Sequence, residues 1–196
     1  MKRIDVSAGA IFLLSVIYFF GGMTGLAALM LAVTVHELGH IAAIVLLGGR
    51  IHSLKVSVSG LCICCSGSMT AGQTVICIYA GPTAGLALAY AASYLGNLDQ
   101  NLLLIKTAGF SFILSVYNLL PALPLDGGRA LQRLAECFYG RCFAQTLLEL
   151  TGMLTGTALL FAGAYFIRRS FGAAVFVAGV WIITAQTGIV KNGSML

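Results

Sequence analysis

Apolar residues in this chain come in long runs, separated by short polar stretches, at about 7–22, 25–48, 73–95, 102–120, 143–167 and 171–190. A helix rises 1.5 Å per residue and needs about 20 residues to cross the hydrocarbon of a bilayer, so the first run is marginal and the other five suffice. The pattern predicts an all-α polytopic membrane protein, one domain over residues 1–196, with about six transmembrane helices. The first run follows Met1-Lys2-Arg3 and imitates a signal peptide. No small-residue cleavage site leads into a soluble domain, so a retained helix is expected. The second run should stop at Leu47-Gly48-Gly49, since glycine commonly ends helices. After it, Ile51 to Cys64 changes period: Val56 and Val58 alternate with Ser57 and Ser59 before Gly60. That reads as a short membrane-associated β-hairpin or re-entrant loop.

Composition agrees with the pattern. The chain is 59% hydrophobic and 9% charged, with mean hydropathy +0.98, where soluble domains carry about 25% charged residues. Six acidic residues among 196 cannot clothe a soluble globule. The net charge of +5 does not point to nucleic acid, because Lys and Arg are scattered between apolar runs with no basic aromatic face. Attraction to anionic lipid explains it more simply. With the N-terminus inside, Lys2, Arg3, Arg50, Lys55, Arg129, Arg133, Arg141 and Lys191 fall on the cytoplasmic side. Lys106, Arg168 and Arg169 lie outward, so both termini are expected in the cytoplasm.

Candidate chemistry centres on His36-Glu37-Leu38-Gly39-His40 in the second run. Residues four apart share a helix face, so two imidazoles can reach one zinc while Glu37 handles a water beside it. The plainer alternative is a chance pentapeptide whose histidines hydrogen-bond across the bundle. His36 and His40 should lie roughly 10–16 Å from the inner end of the helix, in the cytoplasmic half. Ionisable groups at that depth are expensive and point to function. A catalytic zinc usually has three protein ligands and an open position. Glu136, Glu149, His52 and Asp126 are the remaining candidates. Asp126 is preferred, because Pro121 and Pro124 break the fourth run and Gly127-Gly128 permits a tight turn. Its ordinary alternative is an N-cap for a helix from about 127 to 139.

Together, His36-Glu37-Leu38-Gly39-His40 and Asn118-Leu-Leu-Pro-Ala-Leu-Pro-Leu-Asp126-Gly-Gly-Arg129 resemble the motifs of the site-2 protease family of zinc intramembrane metalloproteases. The resemblance covers roughly positions 25 to 130, and the compact plan is similar to the stage IV sporulation protein FB type. It implies one catalytic Zn2+ held by His36, His40 and Asp126, with Glu37 as acid/base for peptide hydrolysis without an acyl-enzyme. Asn118 would contact substrate backbone or steady the reaction centre; an interhelical hydrogen bond is its alternative use. The free edge of the hairpin, with Val56 and Val58, would hold an unwound substrate by strand addition; a plain interfacial loop that plugs the site is the alternative. The implied partners are the lipid bilayer, a membrane-tethered protein substrate of sigma-factor or anti-sigma-factor type, and a membrane-protein inhibitor or regulator. The implied location is the bacterial cytoplasmic membrane. Two departures stand out. Relatives often carry Gly-Pro-x-x-Asn in the third span, whereas this chain has Gly81-Pro82-Thr83-Ala84-Gly85, so a polar contact is missing. No CBS domain follows before Leu196.

The other polar residues read as quiet. Cys62, Cys64 and Cys65 fall on the expected cytoplasmic side, where disulfides are disfavoured, and no nearby ligand set completes a second metal site. Cys137 and Cys142 act as small apolar residues, and His52 is a loop histidine. Gly152, Gly156 and Gly163 predict close helix contact. Two other function classes compete. A metal-ion transporter would line a path through the bilayer with polar groups, but here they cluster on one side. An inactive adaptor would have lost Glu37 or a ligand, and neither is missing.

Overall fold

The computed structural model describes residues 8–57, 60–66, 69–167 and 172–193. The chain divides into two compact units, Met1–Asn118 and Leu119–Leu196. Among the described residues, three helices are long and apolar enough to cross a membrane, namely Gly21–Leu46, Ala71–Leu98 and Arg141–Tyr165. Two others, Leu102–Asn118 and Gly172–Thr187, are apolar but shorter.

The first unit begins with α1 (Ala8–Leu46), two helical stretches that meet at a break at Gly22, where the sequence separates the runs at about 7–22 and 25–48. Gly22 takes φ 63° and ψ −167°. Positive φ costs glycine nothing, so the chain bends there and resumes its helix at once. Lys106 closes the gap: its Nζ donates to the Gly21 carbonyl at 3.2 Å and to Thr24 Oγ1 at 3.0 Å. The glycine stop at the far end forms as expected. Gly48 takes φ 79°, and the Gly49 N–H reaches back to the Ile44 carbonyl at 2.8 Å, which satisfies an orphan carbonyl of the last turn.

Two antiparallel strands follow, β1 (Arg50–Ser57) and β2 (Gly60–Ser66), paired from Arg50↔Ser66 to Ser57↔Gly60. The register shifts between Ile51 and Ser53, leaving His52 as the extra residue of a bulge. Val58 and Ser59 lie outside the described residues.

Next comes α2 (Ala71–Leu98), started by a capping box: Thr70 Oγ1 accepts from the Gln73 N–H at 3.2 Å, and Gln73 Oε1 accepts from the Thr70 N–H at 2.9 Å. The unit ends with α3 (Leu102–Asn118). Its interior is lined by small residues. Ala28, Ala32, Ala89, Ala92, Thr107, Ser111 and Ser115 are buried, while Phe19, Leu46, Tyr90 and Leu98 are exposed. Large apolar groups outside and small groups between helices suit a lipid surrounding, where association relies on close packing rather than on expulsion of water.

The second unit opens with an irregular segment, Leu119 to Leu125, that includes a cis Leu123–Pro124 bond. Three helices follow: α4 (Asp126–Tyr139), α5 (Arg141–Tyr165) and α6 (Gly172–Gly193). The expected glycine contacts in α5 are present. A Cβ at Gly152, Gly156 or Gly163 would run into Gln186, Ile183 or Phe176 of α6 respectively. Glycine therefore sets the helix spacing.

Candidate metal centre

His36 and His40 stand one turn apart on α1, well past its break. His36 is 3% exposed and Glu37 is half-buried. The His40 ring is fixed from the neighbouring helix, because its Nδ1 lies 2.9 Å from the Cys77 carbonyl of α2. A carbonyl only accepts, so Nδ1 carries the proton and the lone pair resides on Nε2. That nitrogen faces His36 Nε2 at 3.3 Å, with the rings nearly perpendicular at 80°. A tetrahedral zinc with Zn–N distances of about 2.0–2.1 Å places two ligand nitrogens about 3.3–3.4 Å apart. The spacing of this pair therefore fits a shared zinc, and the bond to Cys77 is the outer contact that orients a ligating imidazole. A direct bond in which one Nε2–H donates to the other imidazole fits the same distance.

Glycines make this possible. A Cβ at Gly39 would lie 2.6 Å from the Ala80 carbonyl and 2.7 Å from Ala84 Cβ, so the glycine lets α1 and α2 approach. A Cβ at Gly81 would occupy the space of the His40 ring itself. Pro82 lacks the N–H that would bond the Ile78 carbonyl, one residue beyond the Cys77 carbonyl that His40 uses. Gly81 thus gives His40 a seat, and the Cys77 carbonyl gives it a partner.

At Gly85 the structure supplies what the sequence reading missed. Ser111 of α3 donates from Oγ to the Gly85 carbonyl at 2.8 Å. Ser115, one turn on, places its Oγ where a Gly85 Cβ would have to sit, and His36 Nδ1 is 3.6 Å from that point. Both serines are fully buried. Their signal in the sequence is weak, a Ser-x-x-x-Ser spacing in an apolar run.

In the second unit, Asp126 is buried in the first turn of α4. The N-cap is Leu125, with no side-chain capping bond, so the ordinary N-cap explanation of Asp126 fails. Arg129, one turn on, approaches its carboxylate at 3.9 Å, the long limit of an ion pair. The N-terminal end of the helix dipole also favours the negative charge. Gly127 and Gly128 belong to the helix rather than to a turn. Side chains there would strike the backbone of Leu119, Leu120 and Ala122, so the glycines seat α4 on the proline-containing segment.

His36 and His40 in the first unit and Asp126 in the second each offer one atom of a kind that ligates a metal ion. The other acidic candidates are engaged elsewhere. Glu136 accepts from Gln132 at 2.9 Å and pairs with Arg133 at 3.5 Å. Glu149 is exposed on α5, at a shallow cavity of about 230 Å³ shared with Met153, Gln186 and Thr187. Asn118 is the half-buried last residue of α3. Val56 pairs with Leu61 in the two-stranded sheet, whereas Val58 falls outside the described residues. Cys77 is buried, while Cys137 and Cys142 are exposed, and none forms a disulfide.

Comparison with solved structures finds a fold similar to that of the Site-2 Protease from Methanocaldococcus jannaschii, with TM-score 0.68 and 18% identity, covering 91% of this chain and 84% of that chain. No family model matches the chain, and a search of curated proteins finds no match. At this identity the likeness is one of fold.

Proposed function

We propose that this chain is a zinc metalloendopeptidase that hydrolyses a peptide bond in or near the transmembrane segment of a membrane-tethered protein. The observation that carries the reading is the His36–His40 pair, with Nε2 atoms at 3.3 Å and one ring fixed by the Cys77 carbonyl. A fold similar to a site-2 protease adds support. Asp126 supplies the third ligand in this proposal. A zinc ion held there would polarise the scissile carbonyl and acidify water. Glu37, next to His36, takes a proton from the attacking water and delivers it to the leaving amine, so no covalent acyl-enzyme forms.

The substrate must come partly unwound, because a membrane helix keeps each carbonyl in its own hydrogen bond. In this reading the outer edge of the β1–β2 pair, with Val56 and Val58, takes up the extended segment, and Asn118 steadies its backbone. Placement in a bacterial cytoplasmic membrane with both termini inside, a sporulation-type substrate and a membrane-protein inhibitor belong to the same proposal.

The test is zinc content together with cleavage of a tethered model substrate. Wild type should hold zinc and cut. Glu37→Gln should keep its zinc and lose roughly 10²- to 10⁴-fold in rate, the usual contribution of a general acid/base. Asp126→Ala should lose zinc and cleavage together. If Glu37→Gln still cut at the wild-type rate, the assignment of Glu37 would be wrong. Zinc movement across vesicles without cleavage would favour a transporter, and zinc binding with neither activity an adaptor.

A further inference from the structure

We propose that Ser115 is a positioning residue for His36, and that Gly85 exists to make room for it; this rests on the metal-site reading above. The Ser115 hydroxyl is wholly buried and has no hydrogen-bond partner among the described residues. A hydroxyl in an apolar interior without a partner is costly, so its retention calls for a use. The corner that a Gly85 Cβ would fill is bounded by three atoms: Ser115 Oγ, which overlaps it, then His36 Nδ1 and Ser111 Oγ, each 3.6 Å away. Ser111 already donates to the Gly85 carbonyl. Ser115 is therefore the group available to accept from His36 Nδ1–H while the Nε2 lone pair of that imidazole faces the metal. His40 gets the same service from the Cys77 carbonyl. With that bond made, each ligating histidine would have its own outer acceptor, one from α2 backbone and one from an α3 side chain.

The experiment measures zinc affinity by competition with a chromogenic chelator on the full chain in detergent, and the d–d spectrum of the cobalt-substituted protein. Ser115→Ala should weaken zinc binding by roughly 10- to 100-fold, as loss of an outer-sphere partner does, and alter the cobalt spectrum. Ser111→Ala should lower the melting temperature yet leave zinc affinity within about threefold of wild type. The discriminating variant is the double substitution Ser115→Ala with Gly85→Ser. Once Ser115 Oγ is gone, no atom among the neighbours approaches a Cβ at 85 closer than 3.6 Å, so the new serine fits and can offer its hydroxyl to Nδ1. It should restore zinc affinity.

If Ser115→Ala binds zinc as tightly as wild type with an unchanged cobalt spectrum, the proposal fails. It fails too if Ser111→Ala weakens binding equally, or if the double variant restores nothing, since packing rather than a hydroxyl would then be at work. A wild-type chain that binds no zinc, or a His36→Ala variant that binds it normally, overturns the metal site itself. That result is distinct from both.

Discussion

His40 has its ring held between two features of α2 that contribute no side chain, the Cys77 carbonyl and the open face of Gly81. Adding one methyl group at Gly81 would force the ring off its seat and break the contact that fixes its proton on Nδ1. Gly81→Ala should therefore lose zinc affinity by roughly tenfold or more, while the helical far-UV spectrum stays intact; metal analysis after dialysis against a dilute chelator reads this directly. At this scale the sequence was legible where chemistry is concentrated. His36, Glu37, His40 and Asp126 stand out because ionisable groups are rare and expensive in apolar runs. Ser111 and Ser115 were not legible, because serine in a membrane helix usually bonds to its own backbone. Only the packing of α3 on α2 shows that Ser111 reaches the Gly85 carbonyl and that Ser115 stands beside His36. Asp126 stood out as a rare acid near an apolar run, but whether it served as an N-cap needed the helix start at its own position.

Among the elements, boundaries set by specific residues were easiest to read. The glycine stop of α1 and the glycine seam of α5 depend on local backbone requirements and appear where expected. The separation of the first two apolar runs was legible too, although glycine signals a departure from helix without saying for how many residues. Here it lasts for one, and Lys106 from α3 secures it. Lys106→Met should lower stability by about 1.5 kcal/mol, the low end of the range for hydrogen bonds made by a charged group; thermal unfolding in detergent would detect it, and zinc content should not change. In α5, Gly152→Leu should be far more damaging, because Gln186 fills the space that the new side chain needs. A fall of several degrees in melting temperature is expected.

For the whole molecule, small residues fill much of the described interior, Ala, Ser and Thr in the first unit and Ala and Gly beside Leu125, Leu148 and Ile182 in the second, with most Phe, Tyr and Leu side chains on the outside. A chain with that distribution should remain with the membrane fraction through alkaline carbonate washing; recovery in the supernatant would contradict the membrane reading. In this reading the ion is held at one place, by His36, His40 and Asp126. Chelation should accordingly abolish cleavage, restored on adding zinc back, while stability falls by only about 3 kcal/mol, the linkage expected from ligand at about a hundred times its dissociation constant. Unfolding on chelation would mean that the ion is structural.

The Gly39, Gly81 and Gly85 walls have a consequence for how such a protein can change over time. Around most active sites, tolerance to substitution is limited by the loss of a useful group; around this one it is limited by the arrival of any group at all. A saturation mutagenesis map of α2 should therefore show its deepest intolerance at two positions that carry no chemistry, with swaps among neighbouring apolar residues nearly silent. A hydroxyl at Ser115 and a side chain at Gly85 exclude each other, so a polar group could pass between these two helices only by paired events.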